Sequence, residues 1–262
     1  VAKFKLDVLV RLIRHIDVAQ CKAYVARRRN LCKPTICTQS DSFVRIEGLR
    51  HCLVENVQTD ETYVCNDVAL GQDLGFLLYG TNAVGKTCLI KAVGMAVIMA
   101  QASLYVPCTS MTYSPFQYLF TRIVNRDDLF KGMSTFAMEM SELRTILNLC
   151  NNRSLVLGDE LCSGTENTSA ISIFVAGLET LIAARSCFIF ATHFHELKDI
   201  KEVKALPNLG MKHMRVYYDA EADRLVYNRK LEEGSGDAMY GLEVCRSLAL
   251  PNAFLERAHA IR

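Results

Sequence analysis

Gly80-Thr81-Asn82-Ala83-Val84-Gly85-Lys86-Thr87 fills every fixed position of the pattern G-x-x-x-x-G-K-[ST]. Phe76-Leu77-Leu78-Tyr79 ahead of it reads as a short buried strand. Cys88 to Ala102 behind it is apolar, lacks proline, and is long enough for a helix. Strand, glycine loop and helix N-terminus in this order aim backbone N–H groups at a polyphosphate. Lys86 is placed to reach the terminal phosphates, and Thr87 to offer its hydroxyl to Mg2+. The octet therefore predicts a nucleoside triphosphate site built from Gly80, Thr81, Asn82, Ala83, Val84, Gly85, Lys86 and Thr87.

Further along, Leu155-Val156-Leu157-Gly158-Asp159-Glu160 is an apolar strand that ends in two carboxylates. Asp159 at a strand end suits Mg2+, held opposite Thr87. Glu160, one residue on, is placed to polarise a water in line with the γ-phosphate. A module that only binds nucleotide has use for Asp159 but little for Glu160, so the pair favours hydrolysis. Cys187-Phe188-Ile189-Phe190-Ala191 is another buried strand and delivers Thr192-His193 at its end. His193 is either a γ-phosphate contact or a core-edge histidine that caps the next helix. His193-Phe194-His195 also resembles a metal-binding pair, but no ligand set is completed around it, so nucleotide-bound Mg2+ is the one metal expected.

Composition bounds the rest. The chain has 262 residues, half of them hydrophobic, and a net charge of +2. It is long enough for one large domain with an appendage, and its bulk charge does not mark a nucleic-acid binder. Eleven cysteines lie scattered without a C-x-x-C pair. Several, such as Cys88, Cys150 and Cys187, sit inside apolar runs as small hydrophobes. Reduced thiols in an intracellular, reducing compartment are expected rather than a disulfide framework. No apolar run reaches membrane-spanning length, so no membrane partner is expected. The first residue is Val at the start of a helical pattern, which reads as a piece of a longer protein.

Residues 3–26 carry Phe4, Leu6, Leu9, Val10, Leu12, Ile13, Ile16 and Val18 at helical spacing with a polar face. Arg27-Arg28-Arg29 reads as a solvated helix end rather than a DNA contact. Short β-rich runs follow at 43–46 and 62–65, then a β-rich or irregular stretch from Pro107 to Arg122. A helix is predicted from Ser134 to about Cys150. Met138, Leu143, Ile146 and Leu147 would face the core, with Glu139, Glu142 and Arg144 facing water. Further helices are predicted at 169–183, 241–248 and 251–261, with a hairpin of 215–218 and 225–231 around 220–223. Strands alternating with helices predict an α/β fold whose mixed, mostly parallel sheet is flanked by helices, with ligands at the strands' carboxyl ends.

Taken together, these segments resemble the ATPase domain of the MutS family of DNA mismatch-repair proteins, nearly end to end. Leu6-Asp7-Val8-Leu9-Val10 is similar to the end of that family's long lever helix. Glu47-Gly48-Leu49-Arg50-His51 is similar to its Gly-Arg-His-Pro segment, with Cys52 where proline is usual. Phe120-Thr121-Arg122 and Ser134-Thr135-Phe136-Ala137-Met138-Glu139-Met140 resemble family motifs. So do Asp159-Glu160 with Ser163-Gly164-Thr165, Ala191-Thr192-His193, and the tail from Met239-Tyr240-Gly241-Leu242 to Arg257-Ala258. The wording from Gly158 to Asn167 is most similar to a divergent branch known from large viruses and octocoral mitochondria.

The resemblance implies a P-loop NTPase of the ABC-type ATPase class that uses ATP/ADP and Mg2+. It implies a lever-helix end and connector at residues 1–33 and the ATPase domain at 34–262. In it, Asn82 lies near the γ-phosphate and attacking water, Asp159 holds Mg2+ with Thr87, Glu160 activates water, and His193 senses the γ-phosphate. Tyr63 occupies the position that stacks on adenine, with an ordinary strand tyrosine as the alternative. Ser134 would act in trans across a homodimer or a related subunit, and mismatched or damaged DNA would be held by domains outside this chain. Tyr227-Asn228-Arg229 stands where the family often places a histidine against adenine. Phe254-Leu255-Glu256 spells the family's mismatch-reading motif, but inside the last helix, where it is incidental. A transporter- or chromosome-type cassette ATPase is disfavoured by the missing Leu-Ser-Gly-Gly-Gln signature. A dimerisation module with vestigial hydrolysis is the remaining alternative.

Overall fold

Two β-sheets with helices packed on them organise the chain. The computed structural model describes residues 2–57, 62–123, 135–162, 165–219, 224–236, 242, 245–246 and 250–261. The smaller sheet joins β1 (Thr35–Ile36), β2 (Val44–Leu49), β3 (Asn66–Leu70) and β5 (Ser110–Tyr113) in the order β1-β5-β2-β3. The larger joins β4 (Gly75–Tyr79), β6 (Tyr118–Arg122), β7 (Ser154–Asp159), β8 (Cys187–Ala191), β9 (Leu209–Asp219) and β10 (Arg224–Glu233). Its order is β10-β9-β4-β8-β7-β6. Every pairing in it is parallel except that of the edge strand β10 with β9.

Strands β4 and β8 are buried at every residue, because the larger sheet is covered on both faces. Side chains alternate between those faces. Phe76 and Leu78 pack with Leu89, Ile90, Val93 and Val97 of α3 (Lys86–Gln101) and with the smaller sheet's Val44, Ile46 and Val68. Leu77 and Tyr79 pack on the other side with Phe174 and Leu178 of α5 (Asn167–Ala183) and Leu143 and Ile146 of α4 (Thr135–Leu149). Each such Leu, Ile or Phe contributes about 1.5–3 kcal/mol when fully buried. Gly94, the single glycine inside α3, marks its closest approach to the sheet. A Cβ there would come within 2.9 Å of Leu157 on β7. That approach brings the start of α3 to the end of β7.

Several sequence expectations need correction. The run at 62–65 forms no strand; β3 lies at Asn66–Leu70 instead. The antiparallel register sets Leu70 opposite Val44 and Asn66 opposite Leu49, the last residue of β2, so residues 62–65 run past the end of any partner. The stretch from Pro107 to Arg122 is divided between the two sheets. Glu139, expected to face water, is 3% exposed. The face of α4 that carries it lies against the loop after β7, whereas Glu142 and Arg144 are exposed as anticipated. Glu142 forms an ion pair with the buried Arg122 at 3.0 Å. Of the helix expected at 241–248, only Leu242, Cys245 and Arg246 are described, and these are helical.

The N-terminal helix α1 (Ala2–Arg28) is continuous. Its apolar stripe does not bury within this chain: Leu6, Leu9, Leu12, Ile13 and Ile16 are each at least half exposed. Arg50 anchors the helix end by donating to the carbonyls of Arg29 and Asn30. The same guanidinium makes a two-pronged contact with Glu55 of the short α2 (Val54–Val57). Among the described residues no helix is long and apolar enough to cross a membrane. All eleven cysteines are free.

Candidate nucleotide-binding site

The eight-residue glycine loop joins β4 to α3 at the carboxyl end of the larger sheet. Ala83 and Gly85 both take positive φ (64° and 111°), and Gly85 is the residue from which α3 starts. At Gly85 this left-handed backbone suits glycine and turns the first free N–H groups of α3 toward the mouth of the loop. Asn82 sits exposed at the crown. Lys86 is buried, and its Nζ donates to the carbonyls of Gly80 at 2.6 Å and Thr81 at 3.1 Å. Burial lowers its pKa, while the nearby Glu160 and Asp159 carboxylates oppose that shift.

Residues far apart in sequence meet beside the loop. The Thr87 hydroxyl donates to Asp159 Oδ2. The other oxygen, Oδ1, is buried and accepts no hydrogen bond among the described residues, where the buried Thr81 hydroxyl likewise has no partner. Orphaned buried polar atoms are costly in a finished core and mark places where a ligand completes the structure. A carboxylate and a hydroxyl form a hard-oxygen donor set that fits Mg2+. Glu160 and His193 also converge, with Oε1 and Nε2 2.6 Å apart and both side chains 40% exposed. His195 stacks on Tyr79, with ring centroids 5.5 Å apart.

A slot of about 230 Å3 opens on the far side of the loop. Its walls include Val54, Tyr63, Ala83, Val84, Cys88, Met214 and Arg229. The Tyr63 hydroxyl lies 3.6 Å from the Cys88 thiol, and burial raises its pKa. Tyr63 thus stands beside the phosphate loop, not in a strand. Arg229 takes φ 59° where the β9–β10 register shifts. Asn66, which sequence reasoning missed, holds it there: its amide donates to the Arg229 carbonyl at 3.0 Å and its oxygen accepts the Leu231 N–H at 2.7 Å. An isolated asparagine carries no sequence signal for such a role. Ser134, along with Ser163 and Gly164, lies outside the described residues.

Residues 76–262 match the family model for MutS domain V. The chain belongs to the MutS family. It is 36% identical over 298 residues to a putative DNA mismatch repair protein, a mutS homolog, of Acanthamoeba polyphaga mimivirus; the match covers 99% of this chain and 26% of that protein. A mitochondrial DNA mismatch repair protein mutS homolog of Sarcophyton glaucum is 39% identical over 240 residues, 90% of this chain and 24% of that protein. The DNA mismatch repair protein MutS of Lactococcus lactis is 34% identical over 261 residues, 98% and 30% respectively. The chain thus spans 24–30% of the length of these relatives. Its mostly parallel sheet flanked by helices is that of a P-loop ATPase domain, and the viral and octocoral likeness agrees with the wording around Asp159-Glu160.

Proposed function

We propose that this chain binds and hydrolyses ATP with Mg2+ as the motor domain of a DNA mismatch-repair protein. The observation that carries the reading is the meeting of Thr87 with Asp159 beside Glu160 and His193, which joins the start of α3 to the ends of β7 and β8. Backbone N–H groups of Gly80–Thr87 and the Lys86 ammonium would cradle the β- and γ-phosphates, with Asn82 at the γ-phosphate. Asp159 and Thr87 would hold Mg2+, which neutralises charge developing on the phosphate oxygens. Glu160 would take a proton from the attacking water, and His193 would hydrogen-bond the γ-phosphate. The adenine ring would enter the slot between Tyr63 and Arg229, stacked by the one and covered by the other.

In this reading Ser134 of each subunit completes the site of a second copy or a related subunit, so that ATP closes a two-subunit interface and hydrolysis reopens it. Residues 1–33 act as lever end and connector, and residues 34–262 as the ATPase domain. Nucleotide state would thereby bias the grip of other domains on mismatched or damaged DNA, a linkage that runs in both directions. The free thiols suit an intracellular, reducing compartment. Replacing Glu160 with Gln is expected to preserve ATP binding and lower turnover by about 100- to 10,000-fold. Unchanged hydrolysis in that variant would overturn the assignment.

A further inference from the structure

We propose that Glu139 is a positioning residue for Glu160, holding from α4 the turn that presents it. The inference rests on Glu160 as the group that activates water. Among the described residues between β7 and α5 the backbone makes two left-handed excursions at non-glycine residues: φ is 54° at Glu160 and 66° at Cys162. Such conformations persist only where the surroundings over-determine them, and they concentrate at functional sites. Two hydrogen bonds do so here. At the start of the turn the Glu160 N–H donates to the Ala191 carbonyl at 3.0 Å. At its end the Cys162 N–H donates to Glu139 Oε1 at 2.7 Å.

The second bond is the unusual one. It reaches across 23 residues of sequence, and its acceptor is a carboxylate 3% exposed on a helix whose sequence offered water-facing positions. Burying a carboxylate is unfavourable unless it is hydrogen-bonded, and a charged acceptor makes a stronger bond to a backbone N–H than a neutral one. Cys162 itself is fully buried and Leu161 nearly so, and both belong to the core that α4 and α5 share. Glu139 therefore fixes one end of a four-residue turn whose other residues carry Asp159 and Glu160. Loosening that end displaces the Glu160 carboxylate without altering the glycine loop or the nucleobase slot.

The test measures steady-state ATP hydrolysis, ATP affinity and thermal unfolding for Glu139→Met, Glu139→Gln and Glu139→Asp. Glu139→Met removes the acceptor at similar volume. It is expected to lower kcat by about 10- to 100-fold, the cost of a misplacement of about 1 Å, with KM held within about threefold. Glu139→Gln keeps an acceptor oxygen and should restore kcat. Glu139→Asp keeps the charge but shortens the reach; it should share the loss of kcat and serves in place of Glu139→Met if that variant does not fold. In the Glu160→Gln background, Glu139→Met should cost nothing further, because it acts through the group already removed.

Unchanged kcat in both Glu139→Met and Glu139→Asp would overturn the proposal. So would a loss in Glu139→Gln equal to that in Glu139→Met, or losses that multiply in the double variant. Full turnover in Glu160→Gln alone would instead remove the water-activating role of Glu160, and this inference with it.

Discussion

The phosphate end and the base end proposed for the nucleotide site are built by opposite means. The phosphate end is an uninterrupted octet between β4 and α3, completed by the ends of β7 and β8. The base end draws Val54 from α2, Tyr63 from an extended segment, Cys88 from α3, Met214 from β9 and Arg229 from β10. A polyphosphate needs several backbone N–H groups at one spacing, and only consecutive residues in a set conformation supply them. A flat ring needs covered area and a lid, which side chains from any segment supply once the fold brings them together. Local chemistry writes a motif; assembled chemistry does not.

That contrast can be broken by experiment. The largest effect belongs to the phosphate end: Lys86→Ala should weaken ATP binding by about 100-fold, as expected for truncating a buried charge partner. Inorganic tripolyphosphate should lose affinity in the same proportion, read by competition against a fluorescent nucleotide. Tyr63→Ala should weaken ATP binding less, about 5- to 10-fold, in line with the loss of one stacking face. Tripolyphosphate affinity should then be unchanged, and Tyr63→Phe should bind ATP normally. Equal losses for ATP and tripolyphosphate in Tyr63→Ala would mean that the two ends are not separate.

Asn66→Ala tests the assembly of the base end rather than its contact surface. It removes the hydrogen bonds that Asn66 makes to the Arg229 carbonyl and the Leu231 N–H, so urea unfolding should report a loss of about 1–3 kcal/mol, with a smaller effect on ATP affinity. The smallest effect is expected at the opposite pole of the sheet. There Asp41 accepts from Asn152, its strongest stabiliser, and pairs with Arg185, which together lower its pKa. A carboxyl lowered in the folded state adds stability above its unfolded pKa and loses it as the pH falls. Asp41→Asn should therefore flatten the acid limb of the stability profile and leave turnover unchanged.

Much of the frame is legible in the sequence for the same reason as the octet. Strands β4, β7 and β8 are covered on both faces, so each reads as an unbroken apolar run ending at a chemical landmark: Gly80, Asp159-Glu160, Thr192-His193. Helices α3 and α5 are equally plain. Residues 62–65 looked like a strand because Thr, Tyr, Val and Cys favour one, yet β2 ends before it can pair with them. Glu139 looked solvent-exposed because a carboxylate on an amphipathic helix normally is. What reversed that expectation was a backbone N–H on another segment, and no pattern within the helix announces it.

The sequence by itself determined the α/β class and the glycine loop, and it singled out Asp159 and Glu160 as the candidate carboxylates. Each depends on residues within one strand-loop-helix unit or at one strand end, where spacing is geometry. Only the tertiary structure decided that Thr87 meets Asp159, that Glu160 lies against His193, that Asn66 binds the backbone at Arg229 and Leu231, and that Glu139 accepts from the Cys162 N–H. Those contacts span 23 to 165 residues within one connected set of elements. Apart from the Glu139 contact, they follow from strand order in the sheets, set by the burial of both faces and not by any local run of residues.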